Sequence, residues 1–204
     1  MMQKDKSSID RFSYFTFSCF LCSLNDITRV LESIRDKEKE RWKLAPCPFE
    51  FNLYDTEPIS GGRHLKKVYF FTPKANADIC VMFSNMQDGW YSLNNVISAR
   101  LQCDCYLFQI ADLDYRNYSM NSFNYIRGGN LVRCVYVMQD PQWVFYEEGI
   151  KQWFENEHYY AERIKKKRLN KEILLFYCER LGFKITNPMF WESRQSVLFE
   201  ERSK

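Results

Sequence analysis

Apolar residues in this chain fall into short, dense blocks separated by polar connectors, the spacing of a sheet protein with a few helices. The first block, "FSYFTFSCFLCS" (12–23), is aromatic and β-prone and predicts a strand. Asp26 then stands as an N-cap, with Ile27, Val30, Leu31 and Ile34 recurring at helical spacing. The charged run "RDKEKERWK" (35–43) alternates in sign and extends that helix as a solvated face, until "APCP" (45–48) stops it. Three strands are expected at "FEFNLY" (49–54), "LKKVYFF" (65–71) and "ADICVMF" (77–83). Asp88 caps a second helix whose stripe is Trp90, Leu93, Val96, Ile97 and Leu101, and "CDCYLFQI" (103–110) reads as the next strand.

The later pattern is a meander. "SFNYIR" (122–127) turns through the glycines into "LVRCVYVMQ" (131–139), then through Asp-Pro into "QWVFYEE" (142–148). "LVRCVYVM" is apolar on nearly both faces, which predicts a central strand covered on each side. "NEHYYAERIKKKR" (156–168) reads as one helix. Asn170 caps another, with Ile173, Leu174, Tyr177, Cys178 and Leu181 on one face and Gly182 at its C′ position. Residues 184–204 read as a packed tail or an edge strand. The fold expected is α+β: a single domain over 1–204, with a mixed, largely antiparallel sheet of about six to eight strands and about four helices. A late β-meander precedes a helical C-terminal third.

Composition narrows the class. Of 204 residues, 46% are hydrophobic and 17% aromatic, which argues for a packed core and against disorder. A net charge of +3 predicts no strong pull toward nucleic acid or membrane. The start of the chain lacks the apolar segment of a signal peptide, and no apolar run is long enough to span a bilayer. Most of the eight cysteines sit inside apolar blocks and read as free core thiols. These features point to a soluble protein of the reducing cytoplasm.

Four chemistries compete for the polar residues. Cys19 and Cys22 have the spacing of a thiolate pair, but three residues apart on a strand they face opposite ways, which disfavours zinc or dithiol chemistry. Asp112 and Asp114 follow a strand and could hold Mg²⁺ or Mn²⁺ in a metal-dependent transferase or hydrolase. No phosphate-binding glycine motif accompanies them, and only two histidines, His64 and His158, are available for acid–base work. The basic cluster over 163–171 offers a salt-sensitive phosphate surface, weakened by Glu155, Glu157 and Glu162 before it. The fourth chemistry is protein recognition. "DLDYRNYSMNS" (112–122) has the tyrosine, asparagine, serine and arginine content of a binding loop. Asp112, Asp114, Tyr115, Arg116, Tyr118 and Asn121 are the contacts expected there, with Glu147 and Glu148 adding negative charge for a basic partner.

The segment 131–183 combines a strand "VRCVYVM", a turn "QDPQ", an aromatic strand "WVFYEEG" and a helix ending in "LG". In this it resembles small bacterial immunity-type proteins of polymorphic toxin systems, as does "MQDGWYSLNNVISARL" (86–101). The resemblance covers about a quarter of the chain and carries no functional residue over. It implies a non-catalytic cytoplasmic protein, needing no cofactor, that binds a cognate protein toxin and occludes its active or substrate site. The expected partner is therefore a protein, with nucleic acid and membrane disfavoured.

Overall fold

The computed structural model describes residues 9, 12–51, 64–112 and 120–203. Among these residues the chain forms nine strands and three α-helices, and all nine strands join one sheet. The strands are β1 (Tyr14–Phe20), β2 (Trp42–Pro46), β3 (Lys67–Pro73), β4 (Cys80–Ser84), β5 (Asp104–Ala111), β6 (Met120–Arg127), β7 (Asn130–Asp140), β8 (Gln142–Gly149) and β9 (Ser193–Glu201). The helices are α1 (Leu24–Lys37), α2 (Tyr91–Leu101) and α3 (Lys171–Arg180). Strand order is β2-β9-β3-β4-β1-β5-β6-β7-β8, with every pair antiparallel. The α+β class holds, with more strands and fewer helices than the pattern predicted. No helix among the described residues is long and apolar enough to cross a membrane.

The sheet has two buried faces because its central strands are apolar on both. In β1 every residue is buried: Phe15, Phe17 and Cys19 point to one side, Phe20 to the other. Helices α1 and α2 cover the second side through Ile27, Leu31, Leu93 and Ile97. The first side is covered by α3 and the largely irregular chain from 150 to 192, which brings Phe154, Leu169, Tyr177, Phe183 and Trp191 onto Phe17, Phe108 and Phe123. Each such ring or aliphatic chain contributes roughly 1.5–3 kcal/mol by leaving water, so this covering segment is firmly seated without regular helix.

Several elements differ from the pattern, each for a local or tertiary reason. Ser23, not Asp26, caps α1: its Oγ accepts from the Asp26 N–H at 3.2 Å and donates to the Asp26 carboxylate at 2.6 Å. That helix ends at Lys37, because Trp42 is drawn into β2, where its ring stacks on Phe199 at 4.8 Å and lies 5.6 Å from Trp90. The tail forms β9, an interior strand between β2 and β3 rather than an edge. The stretch 156–168 holds two short 3₁₀ turns, Glu157–Tyr159 and Lys165–Lys167, in place of one helix. Of the strand expected over 49–54, residues 49–51 are not β, and the rest lie outside the described residues.

Strand β7 is covered on one face only: Arg133, Val135 and Val137 are buried, while Cys134, Tyr136 and Met138 are partly exposed. It lies next to β8, an edge of the sheet. The β6–β7 turn uses Gly128 and Gly129, both at positive φ, as a two-residue hairpin with a type I′ twist requires. Gly149 ends β8 at φ 87°, where an added Cβ would run into the carbonyl of Val132. Gly149→Ala is therefore expected to lower stability by roughly 1–3 kcal/mol in urea unfolding, with little change in the dependence on denaturant.

Candidate functional site

The residues singled out in the sequence separate. Asp112 ends the β5 ladder, and its carboxylate pairs with Lys171 at 2.9 Å, at the start of α3. One expected acidic contact thus neutralises a member of the expected basic cluster. A divalent-cation site would have to displace that lysine. Asn121 is fully buried, and its side chain is closed on one residue. The Ala111 N–H donates to Asn121 Oδ1 at 3.0 Å, and Asn121 Nδ2 donates to the Ala111 carbonyl at 3.2 Å. It prolongs the β5–β6 pairing where the backbone ladder stops, and it offers no exposed surface. Asp114, Tyr115, Arg116 and Tyr118 lie outside the described residues.

Glu147 and Glu148 do not act together, because neighbours on a strand point to opposite faces. Glu148 is on the open face, where its carboxylate accepts from the Tyr146 hydroxyl at 2.7 Å and the Tyr146 ring stacks on Tyr136 at 5.1 Å. Glu147 is on the covered face and forms an ion pair with Arg133 at 2.6 Å. The basic cluster is also divided. Lys165, Lys166 and Lys167 are exposed on a 3₁₀ turn, while Arg168 folds back over Phe145 at 5.2 Å and donates to the Glu162 carbonyl. Ile164 is exposed and Leu169 takes the buried place. His64 contacts Met86 on the α1–α2 side, and His158 lies in the segment covering the other face. Among the described residues, no three of His, Cys, Asp and Glu gather as a metal site would require.

What the fold does assemble is a buried ionic knot under an exposed aromatic surface. Arg133 is only 2% exposed, yet its guanidinium is fully engaged. Its Nε and Nη2 donate to the Glu155 carboxylate at 3.0 and 2.8 Å, Nη2 also to Glu147, and Nη1 to the carbonyls of Glu148 and Gly149. Glu155 in turn accepts from the Gln152 N–H at 2.7 Å and the Tyr160 hydroxyl at 2.7 Å, and Tyr177 donates to Tyr160. Burial alone would weaken the charge on Arg133. Hydrogen bonds from its guanidinium to Glu155 and then Glu147 outweigh that and hold it above its ordinary pKa.

Tyr160 reports on this knot. Burial first, then the Tyr177 hydroxyl and the Glu155 carboxylate, push its phenol well above the usual value. The folded protein keeps a proton that the unfolded chain releases above about pH 10. Stability from this group is therefore complete below about pH 10 and is lost as pH rises beyond it. Tyr160→Phe removes the titration, so its urea midpoint should fall less steeply above about pH 10 than that of the wild type. A residual slope remains from the similarly raised Tyr125 and Tyr177.

The knot anchors residues 150–156, and that segment presents Ile150 and Trp153 to solvent at 78% and 66% exposure. Arg180, in the last turn of α3, fixes the display: Nη2 donates to the Trp153 carbonyl at 2.9 Å. Its guanidinium lies 5.7 Å from the ring centres of both Trp153 and Phe176, itself 41% exposed. No carboxylate among the described residues pairs with Arg180. Trp153, Phe176 and the Arg180 guanidinium thus form one exposed surface, with a cation that no carboxylate among the described residues neutralises, and Ile150 is exposed three residues before Trp153. Tryptophan and arginine are the residues most enriched where binding energy concentrates. Phe176 and Arg180, one helical turn apart and off the Ile173–Leu174–Tyr177–Cys178 stripe, carried a legible signal for this surface. Trp153 did not, since its adjacent Phe154 is the ring that goes inside.

Comparison with protein-family models, with curated proteins and with solved structures finds no match for this chain.

Proposed function

We propose that this chain is a non-catalytic protein-binding domain of the immunity type, which docks through Ile150, Trp153, Phe176 and Arg180 and occludes a cognate toxin. The observation that carries the reading is Trp153, held rigidly from below and two-thirds exposed above. A ring so exposed leaves on the order of 100–150 Å² to bury, worth roughly 2–4 kcal/mol at about 25 cal/mol per Å². Because its backbone is already fixed, little further ordering is lost on docking. Arg180, which no carboxylate among the described residues neutralises, selects the partner's chemistry: an apolar pocket for the indole, rimmed by carboxylate that pairs with the guanidinium. The steric mechanism follows from the resemblance of 131–183 to immunity proteins, since this surface lies within that segment.

The test is co-expression with the product of an adjacent gene, followed by size-exclusion chromatography. A 1:1 complex with the wild type, absent with Trp153→Ala and Arg180→Ala, is the expected result. Separate elution from every adjacent gene's product would overturn the proposal.

A further inference from the structure

The pair Cys19 and Cys22 drew attention in the sequence, but the fold gives Cys22 a different partner. β1 and β5 pair in antiparallel register through Phe20 and Cys105. The ladder runs one step further, with the Leu21 N–H donating to the Asp104 carbonyl at 2.9 Å. The next step in the same register sets Cys22 opposite Cys103. Directly opposed residues of an antiparallel pair have Cα atoms about 4.5–5.5 Å apart, inside the range a disulfide spans. The chain holds both ends in place. Ser23 caps α1 immediately after Cys22, while the Cys103 N–H donates to the Ser98 carbonyl and the Ser98 hydroxyl donates to the Cys103 carbonyl.

Both thiols are free and pack beside the same apolar cluster as Phe20, Leu93 and Ile97. Each thiol acts on the other, which lowers the Cys103 pKa and raises that of Cys22. Cys22 is partly exposed, so a small molecule reaches the pair. Cys19, Cys80, Cys105 and Cys178 are fully buried, and burial pushes each of their thiols upward, which leaves them inert. Cys47 and Cys134 are also partly exposed. Cys47 lies beside the Tyr69 hydroxyl, and Cys134 faces the open side of the sheet, two strand positions from Tyr136.

We propose that Cys22 and Cys103 are a redox modification site: a cross-strand pair that forms a reversible disulfide by exchange with a low-molecular-weight disulfide. One thiolate of the pair attacks a sulfur of the small disulfide, forming a mixed disulfide and releasing one small thiolate. The second cysteine thiolate attacks the protein-side sulfur of that mixed disulfide and expels the other small thiolate. Two protein thiols are oxidised, one small disulfide is reduced to two thiols, and both protons leave with them. The new bond ties the β1–α1 turn to the α2–β5 turn and closes a long loop, which restricts the unfolded chain.

The experiment treats the folded full-length chain with oxidised glutathione, alkylates the remaining thiols before unfolding, and maps peptides without reduction. The expected result is one intramolecular cross-link joining the Cys22 and Cys103 peptides, reversed by dithiothreitol. The oxidised protein should melt about 5–15 °C above the reduced one. Cys134→Ser should keep both effects and Cys22→Ser should lose both. Thiols that stay free, a lasting glutathione adduct on Cys22, or a cross-link to any other cysteine would each overturn the proposal. Should Cys22→Ser fail to fold, the wild-type peptide map and its reversal decide alone.

Discussion

Arg133→Met is expected to destabilise the protein by roughly 3–5 kcal/mol, read as a lower urea midpoint with nearly the same dependence on denaturant. The size comes from what the substitution leaves behind rather than from what it removes. The Glu155 side chain is 1% exposed, and without the guanidinium its charge keeps only the Gln152 N–H and the Tyr160 hydroxyl. The carbonyls of Glu148 and Gly149 lose their donor as well. Arg133→Lys keeps the charge but not the planar fork that reaches Glu155, Glu147 and two carbonyls together, so it should recover only part of the loss. Arg133→Met combined with Glu155→Leu should recover more, because it removes the stranded carboxylate. A loss below about 1 kcal/mol for Arg133→Met would show that the knot does not hold the 150–156 segment.

Trp153→Ala should behave in the opposite way. Its expected cost in stability is within about 0.5 kcal/mol, the usual effect of an exposed substitution. Its expected cost in partner affinity is at least about 2 kcal/mol, or roughly 30-fold in Kd by calorimetry. Arg180→Ala should weaken binding too, since it removes the cation and frees the Trp153 carbonyl. The contrast separates display from scaffold. Arg133→Met disturbs folding first and binding as a consequence, whereas Trp153→Ala alters binding alone. If Trp153→Ala bound the partner as tightly as the wild type, the aromatic surface would not be the docking site.

Much of the fold was legible along the chain. The strands β1, β3, β4 and β5 and the β6–β7–β8 meander are dense in aromatic and β-branched residues and bounded by turn chemistry. Asn170 was legible as a cap because a short polar side chain before an apolar periodic run has one good use, and it accepts from the Ile173 N–H at 2.9 Å. Elements whose stability comes from distant partners were not legible. β2 follows a charged run and exists because Trp42 meets Phe199, across 157 positions of sequence. The stretch 156–168 has helical composition, yet Leu169 and Tyr160 must reach the sheet face, and two 3₁₀ turns achieve that.

The site was less legible than the fold, for the same reason. Asn121 and Glu147 carry polar side chains in a polar context, and only the register of β5, β6 and β7 turns them inward. Arg133 is a single charge within an otherwise apolar strand, and its ion pair with Glu155 joins positions 22 residues apart that only the packed chain brings together.

What this sequence settles by itself is local: where the strands rich in aromatic and β-branched residues form, that Asn170 starts α3, and that an α+β core exists, because side-chain periodicity and capping act over a few residues. The tertiary structure alone decides which thiol meets Cys22, which carboxylates meet Arg133 and which tryptophan stays outside. Those outcomes depend on burial against partners far along the chain, and burial belongs to the packed molecule.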